Sequence, residues 1–279
     1  MKRNTSQTLC VLYESSAYSV AKRSLRKGKR MSEIRFLQAG DQGLVVEFGN
    51  EINAKINRQV HNLARALSSQ ALPSILEVIP TYRSLLVYFD PLQVSRLALT
   101  KRIKSLLDAQ DTPEASQAEP EAARIVHIPV CYGGEFGPDL EFVAQHNGLS
   151  TDEVIRIHTS TPYQVYMLGF TPGFPYLGGM SDKIATPRLE KPRVKIPAGS
   201  VGIAGSQTGF YPIESPGGWQ LIGRTPINGF DTNSPNPFAF AAGDFLQFKS
   251  VALDEFFTIR REVEAGAYTP EFTTLSRGE

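Results

Sequence analysis

The chain has 279 residues, and its 41% apolar and 20% charged fractions are typical of a globular protein of about two domains. No apolar run reaches the roughly 18 residues of a membrane span, so we expect a water-soluble protein with no membrane partner. Two cysteines are too few for a disulfide framework and favour a reducing compartment, the cytoplasm. The formal charge of +1 depends on eight Lys and Arg residues in segment 1–30, and the remainder carries −6, which argues against a nucleic-acid partner.

The first thirty residues differ from the rest of the chain. They contain eight basic residues and one acid, Glu14, and they lack both a sustained apolar period and the charge order of a signal peptide. We therefore expect a disordered basic extension that ends before Met31.

Segment 31–107 alternates short apolar runs with helical periodicity. Two apolar runs, 34–38 and 44–48, flank a Gly-containing turn, and a second pair, 75–79 and 85–89, follows a helix with apolar residues at spacings of three and four. A second helix is predicted from near Pro91 to Leu107. The order ββαββα predicts an α+β sandwich domain, with helices on one face of a mainly antiparallel sheet.

Segment 108–123 has no aromatic or β-branched aliphatic residue, which predicts a domain linker. Order is expected to resume with a strand from Ile125, and a later helix begins at Ser150, where Glu153 completes a capping box. Segment 169–229 holds 12 of the 23 glycines and eight of the 19 prolines, a pattern that excludes long helices and predicts a closed or nearly closed β-barrel. We place this mainly-β domain at 124–252, followed by a partly helical tail, 253–279.

Three segments of the barrel domain carry candidate binding residues. Segment 163–179 has five aromatic residues in a Gly- and Pro-stiffened loop, which suit either a pocket wall or a core. Arg188 and Arg193 lie beside prolines and could bind a carboxylate or phosphate, or form a solvated edge. The small residues of 198–209 could form a backbone nest for an anion, or a hairpin with Gly at its corners. Together with Trp219 after a Pro-Gly-Gly turn, these segments favour a ligand pocket.

Familiar catalytic motifs are missing from the sequence. It contains no P-loop, no strand-bound G-x-G-x-x-G, no G-x-S-x-G elbow and no H-E-x-x-H. None of the four histidines has another at ligand spacing, so we expect no metal held by this chain alone.

Long motifs in residues 124–250 resemble a known family. These are YGGEFGPDL, GFTPGFPYLGG, TPR, IPAGSVGIAGSQTG, YPIESPGGWQLIGRTP and the closing GD. They are similar to the family that includes the B subunit of bacterial 5-oxoprolinase, the sporulation-kinase inhibitor KipI and allophanate hydrolase subunit 1, and to part of the carboxyltransferase region of urea amidolyase. Residues 33–107 fit the more variable amino-terminal domain of that family.

The resemblance implies a cyclophilin-like barrel and a shared active site. It implies two partners, the C and A subunits of 5-oxoprolinase, with which the chain would open 5-oxo-L-proline to L-glutamate, with ATP as co-substrate, together with Mg²⁺. The catalytic residues expected on this basis are Arg188, Arg193, Arg224 and, for proton transfer, His158. The expected substrate-binding residues are Phe170, Phe174, Gly199, Ser200, Gln207, Thr208, Tyr211 and Trp219. Two alternatives stay open: a KipI-like inhibitor that docks on a sensor histidine kinase, and a carboxyltransferase or allophanate hydrolase-type subunit.

Overall fold

In a computed structural model, the chain folds into two main β-sheets, and each sheet packs against its own helices. The structure describes residues 34–110, 124–232 and 237–274. The predicted extension 1–30 and residues 111–123 of the predicted linker 108–123 lie outside the described residues. Residues 108–110 of that predicted linker are instead the end of a helix, which continues three residues beyond the predicted end at Leu107.

The amino-terminal part contains four strands and two helices. They are β1 (Arg35–Ala39), β2 (Gly43–Glu47), α1 (Ala54–Ser69), β3 (Ile75–Pro80), β4 (Ser84–Phe89) and α2 (Arg96–Gln110), which confirms the predicted order ββαββα. The strands form an antiparallel sheet in the order β1-β2-β4-β3. Both helices contribute apolar side chains to one core with the strands, and its fully buried members include Leu63, Leu85 and Ile103. Burial of each such side chain stabilises the fold by about 1.5–3 kcal/mol.

The start of α2 differs from the prediction. The helix begins at Arg96, because Asp90 closes a separate turn over Pro91: its carboxylate accepts the Leu92 N–H at 2.9 Å. Ser95 then caps the helix by accepting the backbone N–H three residues later at 3.2 Å. Pro91 therefore lies in the turn before the helix, and the prediction of a helix starting there is wrong.

The carboxy-terminal region forms a mixed eight-stranded sheet. Its strands are β5 (Arg124–Tyr132), β6 (Tyr163–Leu168), β7 (Pro175–Gly178), β9 (Ser200–Ala204), β10 (Gln207–Phe210), β12 (Gln220–Arg224), β13 (Phe245–Ser250) and β14 (Phe272–Thr274). They follow the order β10-β9-β12-β5-β13-β6-β7, with β14 also paired to β5. Strands β13 and β5 run parallel. The end strands β7 and β10 lie against each other, so the sheet is a nearly closed barrel, as predicted.

Short helices and a two-stranded ribbon complete this region. They are α3 (Leu140–Asn147), α4 (Thr151–Thr159), α5 (Leu253–Glu264), and the strands β8 (Arg193–Ile196) and β11 (Ser215–Gly217). The capping box at Ser150 and Glu153 is confirmed, and segment 169–229 holds one single-turn 3₁₀ helix and no α-helix. The segment expected to be a tail supplies α5 and also β14, which extends the barrel sheet.

Specific hydrogen bonds join the two sheets. The backbone carbonyl of Tyr166, on β6, accepts hydrogen bonds from Asn57 at 3.1 Å and from His61 at 2.7 Å, both on α1. Gln207, on β10, donates to the hydroxyl of Tyr82 at 3.2 Å. The residues from 34 onward form one compact unit. No helix within the described ranges is long and apolar enough to cross a membrane.

Candidate functional site

Three of the predicted wall residues form a packed aromatic cluster. The rings of Phe174, Tyr211 and Trp219 contact one another edge to face, with centroids 5.7–5.9 Å apart. Their exposed fractions are 3%, 3% and 8%. Burial raises the pKa of Tyr211 to about 12, and the charges of Arg188 and Arg193 oppose this shift. The structure thus brings the three residues together, as a core beneath the surface.

Phe170 is the exposed member of the aromatic segment. It packs edge to face on Phe174 at 5.4 Å, yet 64% of its surface is exposed. Its backbone is left-handed, with φ +61°, and the Thr171 N–H donates to the Gly169 carbonyl at 2.6 Å across it. This is a γ-turn of the strained hand, which proteins keep chiefly where the surroundings enforce it and often at functional sites.

The strained turn borders an open cavity. Its volume is about 340 Å³, and it is lined by residues 168–173 and Phe238. Gly173 anchors the loop, because a Cβ there would lie 2.7 Å from the Gly229 carbonyl carbon. Within the described ranges the Thr171 hydroxyl is buried and has no hydrogen-bond partner. The loop therefore presents an apolar surface with a polar group beneath it.

Arg188 and Arg193 have different surroundings. Arg193 donates to the Asp139 carboxylate at 2.7 Å and to the Trp219 carbonyl at 3.2 Å. The other carboxylate oxygen of Asp139 accepts the Leu221 N–H at 2.6 Å, so this pair fastens β8 to β12. Arg188 is exposed and makes no ion pair or hydrogen bond with the described part of the chain. Arg188 is free to bind an external anion, whereas Arg193 is engaged internally.

Arg224 has an aromatic ring as its neighbour. The guanidinium carbon of Arg224 lies over the Phe136 ring at 4.8 Å. Burial lowers the pKa of Arg224, the charge of Arg260 lowers it further, and Glu135 raises it. Arg193 and Arg224 thus have different neighbours, an acidic side chain and an aromatic ring.

Segment 198–209 forms a hairpin rather than an open nest. Strands β9 and β10 pair antiparallel, and Gly205, with φ +59°, stands at the corner. The Gly199 N–H donates to the Tyr211 carbonyl at 2.6 Å, and the Ser200 N–H to the Pro197 carbonyl at 3.2 Å. The backbone donors of Gly199 and Ser200 are therefore already used. The Ser200 hydroxyl is buried and has no partner among the described residues.

His158 is fully buried and engaged at both ring nitrogens. Its Nδ1 bonds the Tyr132 hydroxyl and its Nε2 the Thr208 hydroxyl, each at 2.7 Å, and the ring stacks on Phe248 at 4.5 Å. Burial lowers the pKa of His158 to about 3. A neutral, enclosed imidazole has no contact with solvent through which to exchange a proton. The geometry favours a structural role for His158 and Thr208.

Sequence reasoning missed Tyr82, which reaches the barrel from the amino-terminal sheet. Its ring packs on Tyr166 at 5.4 Å and on Tyr176 at 5.8 Å, and its hydroxyl holds Gln207. Burial raises the pKa of Tyr82 to about 12. The only signal in the sequence was an aromatic residue in the polar corner 81–84. No group of three or more metal-binding side chains lies together in the parts of the chain that the structure describes.

Comparison with known proteins identifies the family of this chain. The family described as carboxyltransferase domain, subdomain C and D, matches residues 34–240. The chain belongs to that family. It is 49% identical to the B subunit of 5-oxoprolinase from Bacillus subtilis (strain 168), over 81% of this chain and 96% of that protein. It is 38% identical to the B subunit of 5-oxoprolinase from Escherichia coli O157:H7, over 78% of this chain and 96% of that protein. The predicted resemblance is thereby confirmed.

A solved structure shares the fold of this carboxyltransferase C and D family member. The crystal structure of the K. lactis urea amidolyase superposes with a TM-score of 0.72 at 22% identity, over 90% of this chain and 17% of that one. At this identity the match shows a common fold of two parts, α+β and barrel-like.

Proposed function

We propose that the chain is the B subunit of an ATP-dependent 5-oxoprolinase, a cyclic amide hydrolase that acts in the cytoplasm together with its C and A subunits. The observation that carries this proposal is the 49% identity that extends over 96% of the B. subtilis protein of that name. The urea amidolyase relative from Saccharomyces cerevisiae is 24% identical, and the match covers 14% of that protein. The oxoprolinase assignment is therefore preferred to a carboxyltransferase, an allophanate hydrolase-type subunit or a kinase inhibitor.

The openness of the candidate site supports a site shared between subunits. The strained Phe170 turn borders an open cavity, and Arg188 is exposed on another loop. Binding sites for small molecules usually bury most of their ligand. A partner surface placed over these residues would enclose a ligand that this chain alone leaves in contact with water.

The reaction requires charge neutralisation, which two arginines are free to supply. An unactivated lactam resists water, so we propose that ATP phosphorylates its oxygen and ADP leaves. Water then adds to the ring carbon and the C–N bond breaks, which leaves the phosphoryl group on the new carboxyl oxygen. A second water hydrolyses this acyl phosphate to glutamate and phosphate. Arg188 and Arg224 would stabilise the phosphoryl charge, with Ser200 as a hydrogen-bond donor and Phe170 as an apolar contact. Arg193 and Asp139 hold the strands in place. We propose that seven other predicted residues have a supporting role beneath these contacts: Phe174, Tyr211, Trp219, Gln207, Thr208, Gly199 and His158.

The described residues do not fit a dedicated magnesium site, because no cluster of three acidic side chains occurs among them. No step of the reaction is assigned to Mg²⁺ on this chain.

We propose that the barrel is cyclophilin-like and occupies residues 124–252, after an α+β domain at 31–107. The nearly closed sheet supports the proposed barrel, and the separate apolar cores of the two sheets support the proposed division into two domains.

Reconstitution tests the proposed function. The purified chain alone should show negligible 5-oxoproline-dependent ATP hydrolysis, and adding the C and A subunits should produce ADP, phosphate and glutamate together. Mixtures that lack either partner are the controls. Full turnover by the chain alone, or an inactive three-component mixture, would contradict the proposal, and inhibition of a histidine kinase by such an inactive chain would favour the KipI-like alternative.

A further inference from the structure

Two neighbouring residues at the end of β12 each have a buried polar atom without a partner. Arg224 Nε and Ser200 Oγ have no hydrogen-bond partner in the described part of the chain. Arg224 and Ser200 are direct neighbours across β12 and β9, so their side chains share one face of the sheet. A buried polar group without a partner lowers stability, and two together indicate a place where an external group supplies the missing contacts.

An aromatic floor positions the Arg224 guanidinium. Arg224 lies over Phe136, whose ring rests on Phe256 of α5 at 4.5 Å. A guanidinium over an aromatic face keeps the N–H donors in its own plane available for an acceptor. The floor therefore orients the arginine without using its hydrogen-bonding capacity.

A second guanidinium reaches the same end of β12 from helix α5. Arg260 Nη1 lies 3.5 Å from the carbonyl oxygen of Pro226, two residues beyond Arg224, while Glu264 holds its Nε at 2.7 Å. Burial lowers the pKa of Arg224, the charge of Arg260 lowers it further, and the charge of Glu135 raises it. An anion between two positive charges at this end of β12 would be bound favourably by both.

We propose that Arg224, Arg260 and Ser200 form a subsite for a phosphoryl group. A tetrahedral phosphate has enough oxygen acceptors for two guanidiniums and a hydroxyl, whereas a carboxylate has two oxygens. The source of this phosphoryl group, either ATP or the phosphate released from it, follows from the proposed function, on which the proposal rests. It extends the candidate site to α5, which sequence reasoning placed in a tail.

Phosphate titration of the full chain tests the subsite. Inorganic phosphate is added at constant ionic strength, heat of binding is measured by calorimetry, and ATP is used in a second series. Wild type should bind phosphate saturably at one site, and Arg260→Gln should weaken binding by about tenfold or more, as expected for loss of a charge-assisted hydrogen bond. The matched control is Arg261→Gln, the next residue, whose guanidinium bonds Thr258 at 3.1 Å. That control should bind as wild type does.

Ser200→Ala separates binding from folding. Because the hydroxyl has no partner in the described chain, its removal should leave the unfolding midpoint unchanged or raised, while phosphate affinity falls. ATP that binds more tightly than phosphate and is also lost in Arg260→Gln would identify the nucleotide as the source. Absence of saturable phosphate binding, or equal affinities in wild type, Arg260→Gln and Ser200→Ala, would overturn the subsite.

These outcomes are distinct from failure of the proposed function. Normal turnover of the reconstituted complex without phosphate binding by this chain would remove the subsite alone. Phosphate binding that depends on Arg260, in a chain that never supports turnover, would leave the subsite and remove the oxoprolinase assignment.

Discussion

Arg188 and Arg193 lie five positions apart in the sequence but have different roles. Arg193 neutralises Asp139, whose carboxylate also holds a strand N–H, while Arg188 points to solvent. An arginine that saturates a partly buried carboxylate is chiefly structural, because its loss leaves the carboxylate without its charge partner.

Substitution of each arginine by Ala should separate these roles. Arg193→Ala should lower the free energy of unfolding by about 1–3 kcal/mol, since Asp139 loses a charge-assisted hydrogen bond. Arg188→Ala should leave the unfolding midpoint unchanged and lower turnover of the reconstituted complex by about 10²-fold. Urea unfolding and a coupled ATPase assay measure the two effects. Equal stability losses in both variants would contradict the assignment.

His158 predicts a dependence of stability on pH. Its pKa is about 3 in the folded chain, because burial disfavours the charged ring, and returns to about 6.5 on unfolding. Between these values the unfolded state binds the extra proton, so stability falls as pH is lowered through this window, by up to about 1.4 kcal/mol per pH unit. His158→Gln should flatten the profile between pH 6.5 and 4, as measured by urea unfolding at each pH. An unchanged slope in the variant would contradict a buried neutral His158.

The loop 169–173 concentrates strain and exposure in one element. Phe170 occupies a left-handed backbone position that a glycine would adopt without cost. The chain therefore keeps a bulky aromatic side chain where local conformation disfavours it, which suggests that the side chain itself is needed.

Phe170→Gly tests this interpretation. The substitution should leave the unfolding midpoint unchanged or raise it, because about 1–3 kcal/mol of backbone strain is relieved. Turnover of the reconstituted complex should fall at the same time. The control is Phe174→Leu, which alters the buried cluster and should lower stability instead. A Phe170→Gly complex with normal turnover would return this loop to a purely structural role.

Elements could be predicted where the signal is local. The capping box at Ser150 and the order ββαββα follow from short-range spacing, and the structure has both. The helix start at Pro91 failed because the Asp90 side chain competes for the same backbone. The environments of the candidate residues depend on partners that are distant in the sequence. Asp139 lies 54 residues before its partner Arg193, and Tyr82 lies 125 residues before its partner Gln207. Periodicity carries no information on such contacts.

At the scale of the whole molecule, hydrogen bonds from three side chains of the described residues connect two separate cores. Asn57 is fully buried and donates to the carbonyls of Thr81, Tyr82 and Tyr166, so it joins its own sheet to the barrel. His61 adds a second bond to Tyr166, and Gln207 reaches Tyr82 from the barrel side. Because these hydrogen bonds span the contact between the two sheets, the two cores should unfold together.

Loss of the α1 bonds should uncouple the two cores. Trp219 is the only tryptophan and lies in the barrel, so its fluorescence reports on the barrel while far-ultraviolet circular dichroism reports on both parts. In wild type the two thermal transitions should coincide, the mark of a cooperative unit. In the double variant Asn57→Ala, His61→Ala the midpoints should separate by about 5 °C or more, since each core then unfolds with its own stability. Arg58→Ala, an exposed position on the same helix, is the control and should keep them coincident. Coincident transitions in the double variant would show that the two cores are coupled by other contacts.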